Sequence, residues 1–170
     1  MNFRVRKALP SDVEKIANIH VNSWAYAYSG LMPQRFIESY TLEKRRKLWL
    51  NTIERNLAEV LVADCDGRLT GFLCFGQPKY LKGTDVYELS SIYIDPDKIA
   101  TGIGQELYDE CEDMLRILKA KKISLWALDS NERALNFYIK QGFAPTGETN
   151  KERANDVVLN DIELVKELSA

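Results

Sequence analysis

The sequence predicts an α/β fold, with residues 1–170 forming a single domain: a central, mixed, twisted sheet of about seven strands with helices on both faces. Three observations predict it. Runs rich in β-branched and aromatic residues alternate with stretches whose apolar positions recur at helical spacing. Asp66-Gly67 separates two apolar runs with the pairing typical of a tight hairpin. The segment Ile94-Asp95-Pro96-Asp97-Lys98-Ile99-Ala100-Thr101-Gly102-Ile103-Gly104 joins a strand-like run to a helix through closely spaced glycines.

In chain order, Arg4-Val5-Arg6-Lys7-Ala8 reads as a strand over 3–8. Ser11-Asp12 opens a helix over 11–28, and further helices follow over 33–38 and 42–56. Strands are expected over 59–65, 69–77 and 84–94, the last ended by Pro96, which lacks a ladder donor. Leu107, Cys111, Met114, Leu115 and Leu118 mark one helix face, predicting a helix over 102–118. A strand over 122–128 runs into a helix over 130–141 with Asp129 or Ser130 as its cap, and Gly142 ends that helix in a left-handed conformation. Strands over 143–149 and 156–167 complete the order. No linker, repeat or low-complexity tract interrupts it.

Composition restricts the function. The 170 residues suit one domain with a substantial core, and a formal net charge of -2 argues against a general nucleic-acid surface, which needs phosphate neutralisation. The first residues lack the apolar core of a signal peptide, and no run approaches the length of a membrane span, so no membrane partner is expected and the cytoplasm is the expected compartment. Cys65, Cys74 and Cys111 are odd in number and lack paired metal spacing; they read as reduced thiols buried in strands or on a helix face, and no metal site is expected.

The glycine junction carries the chemistry. Gly102 and Gly104 would let an anion approach the unpaired amides of a helix's first turn, where the helix dipole also favours negative charge. A plain tight turn explains the same residues. A dinucleotide fingerprint would want a small residue where Leu107 stands, and a P-loop would want Gly-Lys-Ser/Thr, which is absent.

A second block resolves the ambiguity. Ile94-Asp95-Pro96 followed by Ile99-Ala100-Thr101-Gly102-Ile103-Gly104, and then Asn131, Ala134 and Phe137-Tyr138-Ile139-Lys140-Gln141-Gly142-Phe143, occur in the order of two signatures of the GCN5-related N-acetyltransferase (GNAT) superfamily. The chain resembles that superfamily over nearly its whole length. One departure is Ile99, which stands where the family usually has Arg or Gln.

The resemblance implies acetyl-CoA as co-substrate and a GNAT-like sheet in which the strand before the glycine loop parts from the next one. The backbone of Ile92, Tyr93 and Ile94 would hold the pantetheine arm, the amides of Thr101, Gly102, Ile103 and Gly104 the pyrophosphate, and Asn131 either the cofactor or the helix cap. An acceptor amine, a small molecule or a peptide, would attack the thioester directly, with no acyl-enzyme. Tyr138 matches the family's phenol that protonates the leaving thiolate, and Glu88, six residues before Ile94, is the candidate base. Strand alternation would place Glu88 on one face with Ser90 and Ile92 unless a bulge intervenes. An exposed Glu88 with deprotonation through water, and a Tyr138 that merely packs, are the alternatives.

Acceptor specificity is expected from the N-terminal helices and the final strand pair. Trp24 and Tyr28, four apart on one helix face, would either line that pocket or pack in the core. His20 receives no catalytic role. Lys44-Arg45-Arg46-Lys47 reads as a solvated helix face, with contact to the adenosine 3'-phosphate or to an anionic partner as lesser options. Three functions follow: an acetyl-CoA-dependent N-acetyltransferase, an acyltransferase with another acyl-CoA or acceptor type, or a non-catalytic CoA-binding module. A homodimer is one option for its assembly.

Overall fold

The computed structural model describes residues 2–169, which form one seven-stranded sheet and five α-helices. Strand β1 (Arg4–Lys7) is followed by a 3-10 turn and α1 (Val13–Tyr28), then α2 (Gln34–Glu38) and α3 (Leu42–Glu54). β2 (Glu59–Cys65), β3 (Arg68–Gly76) and β4 (Val86–Ile94) form an antiparallel meander. α4 (Ile103–Ile117), β5 (Lys122–Leu128), α5 (Glu132–Lys140), β6 (Ala144–Ala154) and β7 (Val157–Glu167) complete the chain. The strand order is β1-β2-β3-β4-β5-β7-β6, with β4 and β5 the parallel pair.

Local chemistry explains the junctions. The β2–β3 hairpin turns through Asp66 at φ 52 and Gly67 at φ 87, the paired left-handed conformation expected of Asp-Gly. Arg6 closes the first strand onto α1: Nη1 and Nη2 donate to Asp12 at 2.7 and 3.0 Å while Nε donates to Asp64 at 3.0 Å. Burial alone would raise the Asp12 pKa, but Arg6 and the Leu9 amide together hold it below the usual carboxylate value. Gly142 takes φ 95 just after α5, as its position predicts.

Two apolar layers cover the sheet. On one face α4 and α5 bury Ile103, Leu107, Cys111, Leu115 and Tyr138 against Leu61, Leu73, Phe75, Leu89 and Ile123. On the other, α1 and α3 bury Ile16, Ala17 and Trp49 against Val60, Val62, Phe72 and Cys74. Gly71 lies beneath the glycine junction, where a side chain would meet Ile94 Cδ1 at 2.7 Å and Ile103 at 3.2 Å, so its lack of one lets both isoleucines close over β3.

Four expectations are corrected. The strand expected over 143–149 runs to Ala154, because β6 pairs with β7 along a long hairpin whose exposed polar residues give no alternating apolar signal. The cap of α5 is Asn131, not Asp129 or Ser130: its side chain accepts from the Ala134 amide at 3.2 Å. Arg45 is buried rather than solvated, on the same face of α3 as Trp49 and Thr52. Finally, Cys74 and Cys111 are buried thiols, but Cys65 is only half-buried.

Candidate active site

The sheet opens where β4 leaves β5. Their parallel pairing covers only Val86, Tyr87 and Glu88 against Lys122, Ile123 and Ser124, so the C-terminal ends of the two strands stand apart. The Asp95 amide donates to Thr70 of β3 at 2.8 Å. By alternation Tyr93 then exchanges its backbone bonds with Phe72, while the backbone groups of Ile92 and Ile94 point toward the gap. Of the three residues expected along the pantetheine arm, Ile92 and Ile94 turn backbone toward the gap and Tyr93 does not, and the Ile94 carbonyl already has a side-chain partner. Ser23 of α1 donates to the Ile94 carbonyl at 2.8 Å and fixes that lip of the opening.

The glycine junction closes the same end. Ala100 at φ 61 and Gly102 at φ 90 turn the chain into α4, whose first amides have no side-chain cap. Gly102 is needed for its conformation, which a Cβ would strain. The Thr101 hydroxyl donates to the Lys98 carbonyl at 2.6 Å, so it braces the turn. Ile103 is buried in the core, leaving its amide as its contribution at the surface. The uncapped amides of the fifteen-residue α4 make a candidate anion cradle at the mouth of the gap.

Tyr138 is the buried residue of α5. Its ring lies 5.6 Å from Phe137 and 5.9 Å from Phe143, and burial, reinforced by Tyr28, raises its pKa well above that of a free phenol. The group is a neutral donor at any physiological pH. The Tyr28 hydroxyl sits against Tyr93 and Asn131, so three phenols from α1, β4 and α5 meet beside the opening. The Asn131 side chain accepts from the Ala134 amide as the cap of α5 and lies near Tyr28 at the end of α1.

Glu88 lies on the opposite face from the one expected. Cys74 pairs with Ser91 and Phe75 with Leu89, leaving Ser90 as an extra residue in β4. The bulge resets the alternation: Leu89, Ile92 and Ile94 face α4, whereas Glu88 shares its face with Ser91 and Tyr93. That is the α1 side, away from the anion cradle. The Tyr80 hydroxyl donates to Glu88, and burial together with that carboxylate pushes the Tyr80 pKa up to about 12. Nothing in the sequence marked Tyr80, because the contact spans the 3-10 turn Lys79–Leu81 and a loop without periodicity.

Beside Glu88, a cleft of about 520 Å³ is lined by Tyr80, Leu81, Ser124, Thr146 and Glu163 among others. Toward α1, the Trp24 ring packs at a tilt 4.5 Å from Tyr28 and 4.7 Å from Tyr40, and His20 stacks 4.7 Å from Tyr93. Among the described residues, no group of three or more His, Cys, Asp or Glu is placed to hold a metal ion, and no helix is long and apolar enough to cross a membrane.

Comparison with known proteins agrees with this architecture. The chain is 29% identical over 149 residues to a spermidine N(1)-acetyltransferase of Thermoplasma acidophilum, covering 84% of this chain and 89% of the relative. It is 25% identical over 155 residues to a probable N-acetyltransferase of Mycobacterium tuberculosis, covering 87% and 83%. The crystal structure of a PaiA N-acetyltransferase from Thermoplasma acidophilum in complex with coenzyme A superimposes with a TM-score of 0.84 at 24% identity, covering 99% of this chain and 100% of that one. Because the model of the acetyltransferase (GNAT) family matches residues 16–143, where the opened sheet, the anion cradle and the Tyr138 helix all lie, the chain belongs to the GNAT family and is an acetyltransferase with acetyl-CoA as its acyl donor.

Proposed function

We propose that this acetyltransferase is a cytoplasmic enzyme that transfers the acetyl group of acetyl-CoA directly to a primary amine of a small molecule or a peptide. The observation that carries the reading is the parting of β4 from β5, which leaves backbone of Ile92 and Ile94 unpaired with any strand on one side and the uncapped start of α4 at its mouth. An extended pantetheine arm would add to β4 as a strand does, and the pyrophosphate would take the amides of Thr101, Gly102, Ile103 and Gly104.

The chemistry assigns one job to each side of the sheet. A lysine-like amine, with a pKa near 10.4, arrives mostly as ammonium and must lose a proton before its lone pair attacks the thioester carbon. Glu88 takes that proton, directly or through water, from the face opposite the cofactor cradle. An amide near Ile94 stabilises the oxyanion as the carbonyl becomes tetrahedral. The carbon–sulfur bond then breaks toward Tyr138. A phenol whose pKa lies above that of a thiol, about 8.5, holds its proton and stabilises the thiolate by donating a hydrogen bond; of the two protons the amine loses, one leaves through Glu88 to solvent and the other, shed as the tetrahedral intermediate collapses to the amide, ends on the thiolate as CoA thiol. The spermidine acetyltransferase among the relatives supports an amine acceptor.

The test is acetylation of a panel of polyamines, amino acids and short peptides, read as free thiol released from acetyl-CoA, alongside thermal melting. Acetyl-CoA at about 100 times its dissociation constant should stabilise the fold by about 2.7 kcal/mol. A folded sample that shows neither a thermal shift nor thiol release at millimolar acetyl-CoA would refute the proposal.

A further inference from the structure

Arg45 is a buried cation, and two of its donor nitrogens lack acceptors. The residue is only 8% exposed, and Nε and Nη2 have no hydrogen-bond partner. The indole Nε1 of Trp24, on the neighbouring helix, is likewise buried without a partner. Its neighbours in the charged run all find partners: Lys44 donates to the Ser39 carbonyl, Arg46 pairs with Glu14 and Lys47 with Glu43. Arg45 instead lies with Cζ 4.3 Å from the centre of the Tyr40 ring and 5.1 Å from that of Trp24. Aromatic faces attract a guanidinium but accept none of its N–H groups in the plane where hydrogen bonds form. Buried polar groups without partners are rare in proteins, and a guanidinium aims a planar fork of donors at whatever completes it.

The place of these donors gives the missing group a function. The Trp24 ring lies 4.5 Å from that of Tyr28 and 6.4 Å from that of Tyr93, so the cluster borders the phenols at the β4–β5 opening. One residue before Trp24, Ser23 is bonded to the Ile94 carbonyl at the lip of that opening. Arg45 therefore stands on the face of the sheet that carries Glu88, opposite the cofactor cradle. Tyr40, half-buried at the bend between α2 and α3, covers the guanidinium.

We infer that Arg45 and the Trp24 indole N–H form a carboxylate-binding subsite for the acceptor, which is then an amine that also carries a carboxylate, such as an amino acid. The inference deepens the N-acetyltransferase reading and rests on it. A carboxylate accepts from Nε and Nη2 along one edge of the guanidinium and from the indole, while the amino group of the same molecule extends toward the thioester. A polyamine would bring a second ammonium against an uncompensated cation, which disfavours it at this position.

The experiment compares α-amino acids, their methyl esters, putrescine and spermidine, by thiol release and by calorimetric binding to the CoA-saturated enzyme. Wild type, Arg45→Gln and Trp24→Phe are tested, with CoA affinity and circular dichroism verifying each fold. The expected result is that free amino acids bind and react while their esters do not. Arg45→Gln raises the acceptor KM by roughly 30-fold or more with the acetyl-CoA KM unchanged. Trp24→Phe, which keeps the ring and loses the N–H, raises the acceptor KM by roughly two- to tenfold. Turnover of polyamines without binding of amino acids would leave the transferase reading intact and remove the subsite. Equal use of acids and esters, or an acceptor KM indifferent to both substitutions, would also remove it. Arg45-dependent binding of amino acids with no turnover of any amine would uphold the subsite and sink the transferase reading. If Arg45→Gln fails to fold, Trp24→Phe and the acid–ester comparison on wild type decide the matter.

Discussion

The indole N–H of Trp49 donates to Nδ1 of His20 at 3.0 Å, and this bond across α1 and α3 fixes the imidazole in its neutral form. Burial, and then the nearby Arg45 cation, lower the His20 pKa to about 3. A protonated Nδ1 could not accept from Trp49, and the charge would sit 4.7 Å above the Tyr93 ring with no carboxylate to meet it.

Acid should therefore weaken the fold through His20. Its folded pKa lies below the unfolded value of about 6.5, so between the two the unfolded chain binds a proton that the native state refuses. The stability tied to the neutral ring is full above about pH 6.5 and falls as pH drops, by up to about 1.4 kcal/mol per unit. Urea unfolding of wild type and His20→Gln between pH 7 and 5 measures this. The wild-type midpoint should fall with pH while the variant, lower at pH 7, stays flatter; parallel slopes would show that His20 does not carry the effect.

Tyr138→Phe keeps the ring among Phe137 and Phe143 and deletes the donor. We expect kcat to fall roughly 10- to 1000-fold with little change in the KM for acetyl-CoA, because the hydrogen bond matters only as the thiolate forms. Stability should change little by comparison. Wild-type turnover in this variant would assign Tyr138 to packing alone and move attention to Tyr28 and Tyr93 beside it.

Glu88 and Tyr80 should act as a pair. Glu88→Gln keeps the size and loses the proton acceptor, so turnover should drop and the pH dependence of kcat/KM should change form. Tyr80→Phe removes the donor that positions the carboxylate, and should cost a smaller factor, roughly three- to tenfold. If Glu88→Gln leaves the pH profile unchanged, deprotonation belongs to water or another group. If Tyr80→Phe hurts turnover more than Glu88→Gln, the phenol is the acting residue.

The sequence carried the order of elements and the strand-to-helix junction at the end of β4, because those features are written in local chemistry: β-branched runs, Asp66-Gly67, and closely spaced glycines. The face of Glu88 was not legible, since the bulge at Ser90 arises from how β4 pairs with β3, and alternation alone cannot reveal an extra residue. The burial of Arg45 was not legible for a related reason. A basic run looks solvated until one sees that Arg45, Trp49 and Thr52 share a helix face, a spacing present in the chain but outweighed by the surrounding charges. Asn131 likewise competed with Asp129 and Ser130, three good caps in adjacent positions, and only the helix register chose among them.

The departure at Ile99 gives the last prediction. Ile99 is half-buried and extended, between the 3-10 turn Pro96–Lys98 and the left-handed Ala100, so its side chain leaves the turn at the edge of the anion cradle. The resemblance would put Arg or Gln there as a further donor to the pyrophosphate, while Lys98 stands at the neighbouring position. A well-made charge-assisted hydrogen bond contributes about 1.5–3 kcal/mol, so Ile99→Arg should tighten CoA binding roughly tenfold or more and make it more sensitive to salt. The rival account is that Ile99 packs under the turn, in which case a larger charged side chain strains the loop and loosens binding. Calorimetric titration of CoA into both proteins at low and high salt separates them. Tighter binding that fades with salt supports the missing contact, and looser binding at both salts means that Ile99 holds the cradle in shape.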